Sequence, residues 1–124
     1  MPATVYGPSL VIALLAIRPG WWCNALTAYL QAFPQLRIVA APLKLDEILV
    51  MLDTTSAQTL VLEATVCTPH LPFALQVLHT THPDLNIVII ADTLGEYQMA
   101  EQGGVDTVLL KSNLLGALDP AIFL

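Results

Sequence analysis

Five short apolar runs alternate with segments of helical period, and this alternation limits the possible folds more than any other feature of the chain. The runs are "LVIALLAI" (10–17), "LRIVAA" (36–41), "QTLVLE" (58–63), "LNIVIIA" (85–91) and "DTVLLK" (106–111). Each is too short for an ordinary helix and nearly continuous in its hydrophobicity, the pattern of a strand buried on both faces. Between them, Ala25, Leu26, Tyr29, Leu30 and Phe33 recur at helical spacing before Pro34, and Leu45, Ile48, Leu49 and Leu52 share one face of a second helix. "PFALQVLHTTH" opens with Pro72 at a favourable first-turn position. "LGEYQMAEQGG" is closed by glycines. "SNLLGAL" begins on Ser112 as an N-cap, and Pro120 cuts that helix off. Strand–helix alternation with short loops predicts a parallel sheet with helices on both faces.

Composition decides between a buried sheet and a membrane. Of the 124 residues, 56% are hydrophobic and 11% charged, against about 25% charged in an ordinary soluble domain. A membrane-spanning helix needs about 20 apolar residues, whereas the run 10–17 stops at Arg18. No Lys or Arg precedes that run, and Pro19, Gly20 and two tryptophans follow it, so it does not read as a signal peptide. The expectation is a soluble cytoplasmic protein. It has a single domain over residues 10–124 and an N-terminal extension over 1–9.

The charge balance removes further classes. Arg18, Arg37, Lys44 and Lys111 are scattered against ten acids, giving a net charge of −6. Nucleic-acid binding draws on clustered cations meeting phosphates, so direct DNA or RNA binding is not expected. Cys23 and Cys67 make neither a disulfide framework nor a zinc site, and both read as small hydrophobes. They fall near the same ends of strands, which leaves a redox pair open. Reactive thiols need electropositive, accessible surroundings, and only Arg18 offers charge there. His70, His79 and His82 form no metal-ligand pattern and read as solvated loop or helix-end residues.

In doubly wound sheets the chemistry lies at the carboxyl ends of the strands. Glu63 ends the third strand at that rim, and Lys111 ends the fifth. With "GGVDTVLLKSN" (103–113), "PDLNIVIIADT" (83–93) and "VIALLAI" (11–17), these positions make residues 10–118 resemble the receiver domain of bacterial response regulators, especially receivers of helix-turn-helix transcription factors. The resemblance implies a three-layer flavodoxin-like (βα)5 sandwich with strand order 2-1-3-4-5. It also implies a site with a phosphoacceptor aspartate, two Mg²⁺-holding acids, a hydroxyl residue and a lysine.

Of that set this sequence keeps Lys111. The phosphoacceptor position holds Glu63, and the acidic pair falls on Ile17 and Arg18. The hydroxyl position falls on Ala91 and the aromatic switch position on Val108. Phosphoryl transfer to a carboxylate needs a divalent cation to neutralise charge; Ile17 offers no oxygen and Arg18 repels the ion. The chain is therefore expected to be a pseudo-receiver, with no catalytic residue, metal or cofactor, and not an enzyme.

Two readings of Glu63 stay open. Either Glu63, Lys111 and Arg18 form a permanent charge cluster mimicking a metal-bound, phosphorylated site, or Glu63 and Lys111 are an ordinary partly buried pair. Arg18 and Lys111 also allow a different class, a sensor of a small anionic ligand lined by Trp21, Trp22, Asp92 and Thr93; the plain reading is that Trp22 fills the vacated acidic pocket. With no catalytic set, the expected function is protein–protein interaction, with a partner or as a homodimer. The resemblance puts the partner surface on the fourth helix, fifth strand and fifth helix, with Tyr97, Val108, Leu114, Leu115, Leu118 and Phe123 as its residues. Ile122 and Phe123 have no helix of their own to bury them.

Overall fold

Each of the five apolar runs forms a strand, and the strands pair in parallel in the order β2-β1-β3-β4-β5. The computed structural model describes residues 10–67, 70–113 and 120–123. The strands are β1 Val11–Ala16, β2 Leu36–Ala40, β3 Thr59–Glu63, β4 Asn86–Ala91 and β5 Thr107–Leu110. The helices are α1 Trp21–Gln31, α2 Leu45–Thr55, α3 Leu71–Thr81 and α4 Leu94–Gln102. A single helical turn, Ala64–Cys67, follows β3 directly, and 3₁₀ turns span Lys111–Asn113 and Pro120–Phe123. Among the described residues no helix is long and apolar enough to cross a membrane.

Alternation along each strand sends side chains to two cores. Leu14, Ala16, Leu60, Leu62, Ile87 and Ile89 face one way and meet Ile48 and Leu52 of α2, Leu71, Leu75 and Leu78 of α3, and Ala100 of α4. Ala13, Leu15, Val61, Val88, Ile90 and Leu109 face the other way and meet Leu26 and Leu30 of α1. All five residues of β3 are buried, as expected of a central parallel strand covered on both sides. Fully burying each Leu or Ile contributes roughly 1.5–3 kcal/mol, so the chain's high apolar content is absorbed by the two faces.

The register sets the level of the rim. Ala16 pairs with Leu62, Glu63 with Ile90, and Ile90 with Leu109. Residues at or just past these pairs, 17–18, 63, 92 and 111, therefore emerge at one edge of the sheet. From β1 the chain turns through Gly20, which caps α1 at φ 149° and ψ −178°. That backbone region is open to glycine alone, and it lets α1 begin at Trp21, four residues ahead of Ala25, the first of the periodic apolar residues.

The end of the chain departs from the sequence expectation. Phe123 is fully buried in the α1-side core, not exposed on a partner surface, and Ile122 packs beside it. The buried Thr59 hydroxyl donates to the Phe123 carbonyl at 2.8 Å, and Asn86 Nδ2 donates to the Ile122 carbonyl at 2.9 Å. An aromatic side chain has a large apolar area to hide, and the space at the amino ends of β3 and β4 accepts it from the short 3₁₀ turn Pro120–Phe123. Of the expected fifth helix, Ser112 lies in the 3₁₀ turn after β5; Leu114, Leu115 and Leu118 lie outside the described residues.

Candidate functional site: a charge cluster at the strand ends

Four charged side chains meet at the carboxyl edge of the sheet, each from the end of a different strand. Glu63 is the centre, with its side chain 2% exposed. Arg18, after β1, donates to Glu63 Oε1 from its backbone N–H at 2.9 Å and from Nε at 3.1 Å, and to Oε2 from Nη2 at 3.2 Å. Lys111, after β5, donates from Nζ to Glu63 Oε2 at 2.6 Å. Asp92, after β4, closes the circuit: its Oδ2 lies 3.3 Å from Arg18 Nη2 and its Oδ1 3.0 Å from Lys111 Nζ. Two carboxylates thus alternate with two cations, and the formal charge of the set is zero. Lys111 Nζ also sits 4.7 Å above the ring of Trp22, a cation–π contact.

Local structure fixes each member. Ile17 is buried in the α1-side core and anchors the backbone from which Arg18 projects. Thr93 caps α4: its hydroxyl accepts from the Glu96 N–H at 3.1 Å, while Glu96 Oε1 accepts from the Asp92 N–H at 2.8 Å. This is a capping box displaced by one residue, and it holds Asp92 where it meets both cations.

The ionisation of Glu63 follows from these partners. Burial pushes its carboxyl up, but hydrogen bonds from the Arg18 side chain, Lys111 and the Arg18 backbone outweigh that and bring it down from 4.5 to about 2. Burial works to lower Lys111, yet its hydrogen bonds to Glu63 and Asp92 leave it raised. Hydrogen bonding to Glu63 likewise raises Arg18. Glu63, Lys111 and Arg18 are therefore all ionised throughout the physiological range.

The sequence pointed to Glu63, Lys111 and Arg18, and the structure brings them together. Asp92, expected only as pocket lining, is instead the fourth member of the cluster. Its signal was present in the spacing Thr93-x-x-Glu96, which marks a helix start. Of the other proposed lining residues, Thr93 is the helix cap, Trp22 packs against the α1-side core, and Trp21 is 79% exposed. An anion sensor at this rim would need positive charge to spare, whereas Arg18 and Lys111 are already matched by Glu63 and Asp92. Ala91 is fully buried at the end of β4.

The cysteines do not form a pair. Cys23 packs against the α1-side core and Cys67 against the opposite one, so the sheet separates them. Burial pushes the Cys67 thiol up, away from thiolate reactivity. Two histidines have partners that the sequence did not reveal: His79 Nε2 lies 3.1 Å from the Gly103 carbonyl, and His82 Nε2 lies 2.8 Å from Asp53 Oδ1.

The residues at this rim do not fit the Mg²⁺ that the receiver resemblance implies. A hard cation requires carboxylate oxygens free to coordinate it. Ile17 presents hydrocarbon, and both oxygens of Glu63 and of Asp92 are occupied by Arg18 and Lys111. Among the described residues no group of three or more His, Cys, Asp or Glu side chains is placed to hold a metal.

No protein-family model and no curated protein matches the sequence. Solved structures do match. The isolated REC domain of RcsB from Salmonella enterica serovar Typhimurium, in the apo form, aligns with a TM-score of 0.70 at 10% identity, over 83% of this chain and 77% of that one. A LuxR family DNA-binding response regulator from Silicibacter pomeroyi aligns with a TM-score of 0.63 at 18% identity, over 91% and 84%. A response regulator from Burkholderia pseudomallei, solved with a phosphorylated aspartic acid, calcium ion and citrate, aligns with a TM-score of 0.62 at 13% identity, over 92% and 68%. Joined to the strand order and the two-faced core, these likenesses establish that the chain has the receiver-domain fold of response regulators.

Proposed function

We propose that this protein is a receiver-fold signalling module that works in the cytoplasm without a phosphoryl group, through contact with other proteins, and that it is not an enzyme. The observation that carries this reading is the closed charge cluster. The carboxylate at the end of β3 is hydrogen-bonded at both oxygens by the chain's own cations, which leaves no lone pair directed at an incoming phosphorus and no place for the cation that transfer requires. Ala91 and Val108 supply neither a hydroxyl nor an aromatic ring to respond to a bound group.

Protein contact is supported by what remains at the surface. Trp21, Leu43, Phe73 and Leu94 are large apolar side chains 39–79% exposed, and all lie in loops or first helical turns following the strand ends. The contact face we assign is that of α4 and β5, where Tyr97 and Val108 are half-buried, and a second copy of the chain is the simplest occupant. Sedimentation of wild type and Tyr97→Asp tests that face, with a shift toward monomer expected in the variant.

The decisive experiment is intact mass after incubation with Mg²⁺ and acetyl phosphate. No added mass is expected in a folded sample. One added phosphoryl group, absent in Glu63→Ala, would overturn the reading.

A further inference from the structure

Two carboxylates converge at the ends of adjacent strands, and something must neutralise them. Glu63 is almost wholly buried, and Asp92 lies close enough that Lys111 Nζ reaches both, at 2.6 and 3.0 Å. Lys111 matches one of the two negative charges. The other is matched from the opposite side by Arg18, whose guanidinium reaches Oε1 and Oε2 of Glu63 and Oδ2 of Asp92. Arg18 is 52% exposed, so it covers the carboxylates from the solvent side. Its backbone N–H is bound to the same Glu63 oxygen, which fixes the origin of the side chain. The planar fork of a guanidinium suits two-oxygen contacts of this kind.

We infer that the Arg18 guanidinium is a tethered counter-ion, permanently holding the place between Glu63 and Asp92 that an exchangeable divalent cation would otherwise take. The rim is thereby fixed in one charge state, independent of metal or signal. This rests on the reading of the site as non-phosphorylated and extends it, because it assigns the refusal of a cation to one residue. Removing the Arg18 side chain leaves a net charge of −1 and frees Glu63 Oε1 and Asp92 Oδ2 of their side-chain partners, oxygens of the type that Mg²⁺ and Ca²⁺ prefer, while Lys111 still holds Oε2 and Oδ1.

The test is thermal melting of the wild type, Arg18→Ala, Arg18→Lys and the Arg18→Ala/Glu63→Gln double variant, in NaCl and in MgCl₂ or CaCl₂ at equal ionic strength. Wild type and Arg18→Lys are expected to melt alike in both salts. Arg18→Ala is expected to melt lower in NaCl and to regain much of the loss with the divalent salt, by mass action on the folded state. The double variant should show no such recovery. Divalent stabilisation of the wild type, or none in Arg18→Ala, overturns the inference. Should Arg18→Ala fail to fold, Arg18→Gln keeps the stem of the side chain and is read in the same way. The mass experiment on the wild type is independent of these melts, so a phosphorylated wild type sinks the functional reading, whereas an unresponsive Arg18→Ala sinks only the counter-ion role.

Discussion

The ammonium of Lys111 lies 2.6 Å from Glu63 Oε2, so the end of β5 is tied to the end of β3 across the intervening strand β4. This tie is almost fully enclosed on the glutamate side, and the cost of breaking it is set by the charge left behind. Removing one partner of a buried ion pair costs about 3–5 kcal/mol, more than the intact pair is worth relative to apolar residues. Glu63→Gln is therefore expected to lower the unfolding free energy by about 3 kcal/mol in urea denaturation. Glu63→Gln combined with Lys111→Met should lose less than the sum of the two single changes, a coupling that a double-mutant cycle measures.

Acid should weaken the protein through the same residue. The folded-state pKa of Glu63 is depressed from 4.5 to about 2. Its contribution is present in full above the unfolded value and disappears as pH falls through the folded one. The shift is worth roughly 3 kcal/mol at neutral pH, lost progressively between about pH 5 and pH 2. Urea midpoints across that window should fall steeply in the wild type and more shallowly in Glu63→Gln. Lys111, whose pKa is raised, has the opposite sign: its contribution holds at neutral pH and fades only in strong base.

At the far end of α4, Gly103 packs against α3 so closely that an added Cβ would meet Leu75 Cδ1 well inside contact distance. Gly103→Ala is expected to cost roughly 1–3 kcal/mol as an overpacking substitution. Leu75→Ala is itself costly because Leu75 is buried in the core, so the check is a double-mutant cycle: Gly103→Ala should cost less in the Leu75→Ala background than in the wild type if that clash is the cause.

The burial of Phe123 predicts a large effect from the chain's end. Phe123→Ala leaves a cavity in the α1-side core and is expected to cost about 3–5 kcal/mol. Thr59 would then hold its hydrogen bond to a poorly anchored carbonyl. Thermal melting read by circular dichroism checks the magnitude, and a change below 1 kcal/mol would place Phe123 outside the core after all.

The fold was legible because parallel strands announce themselves as unbroken apolar runs, and the turns between them are marked by Pro34, Gly20 and the glycines after α4. Glu63, Arg18 and Lys111 were legible for a related reason: a charge at the end of such a run has nowhere to be but the rim. Asp92 was harder to read, because its role depends on a helix cap that orients the chain after β4. Phe123 was hidden altogether. No periodicity records which gap in a finished sheet a distant side chain will fill, and its burial follows from the three-dimensional space beneath β3 and β4. The separation of Cys23 from Cys67 shows the same limit, since nearness to one rim does not tell which side of the sheet a side chain occupies.

The charge cluster gathers residues at or just past the ends of β1, β3, β4 and β5, and β2 contributes none of them. At the level of the rim, β2 is held by the Ala41 N–H donating to the Leu15 carbonyl at 3.0 Å and by Val39 and Ala41 packing on the α2-side core, without a charged tie to the cluster. Four strands are stitched at their tips, and the fifth is left as a free margin. Transient opening of the sheet is therefore directed to one side: amide exchange should be fastest along β2, and the fold should unzip from that margin inward.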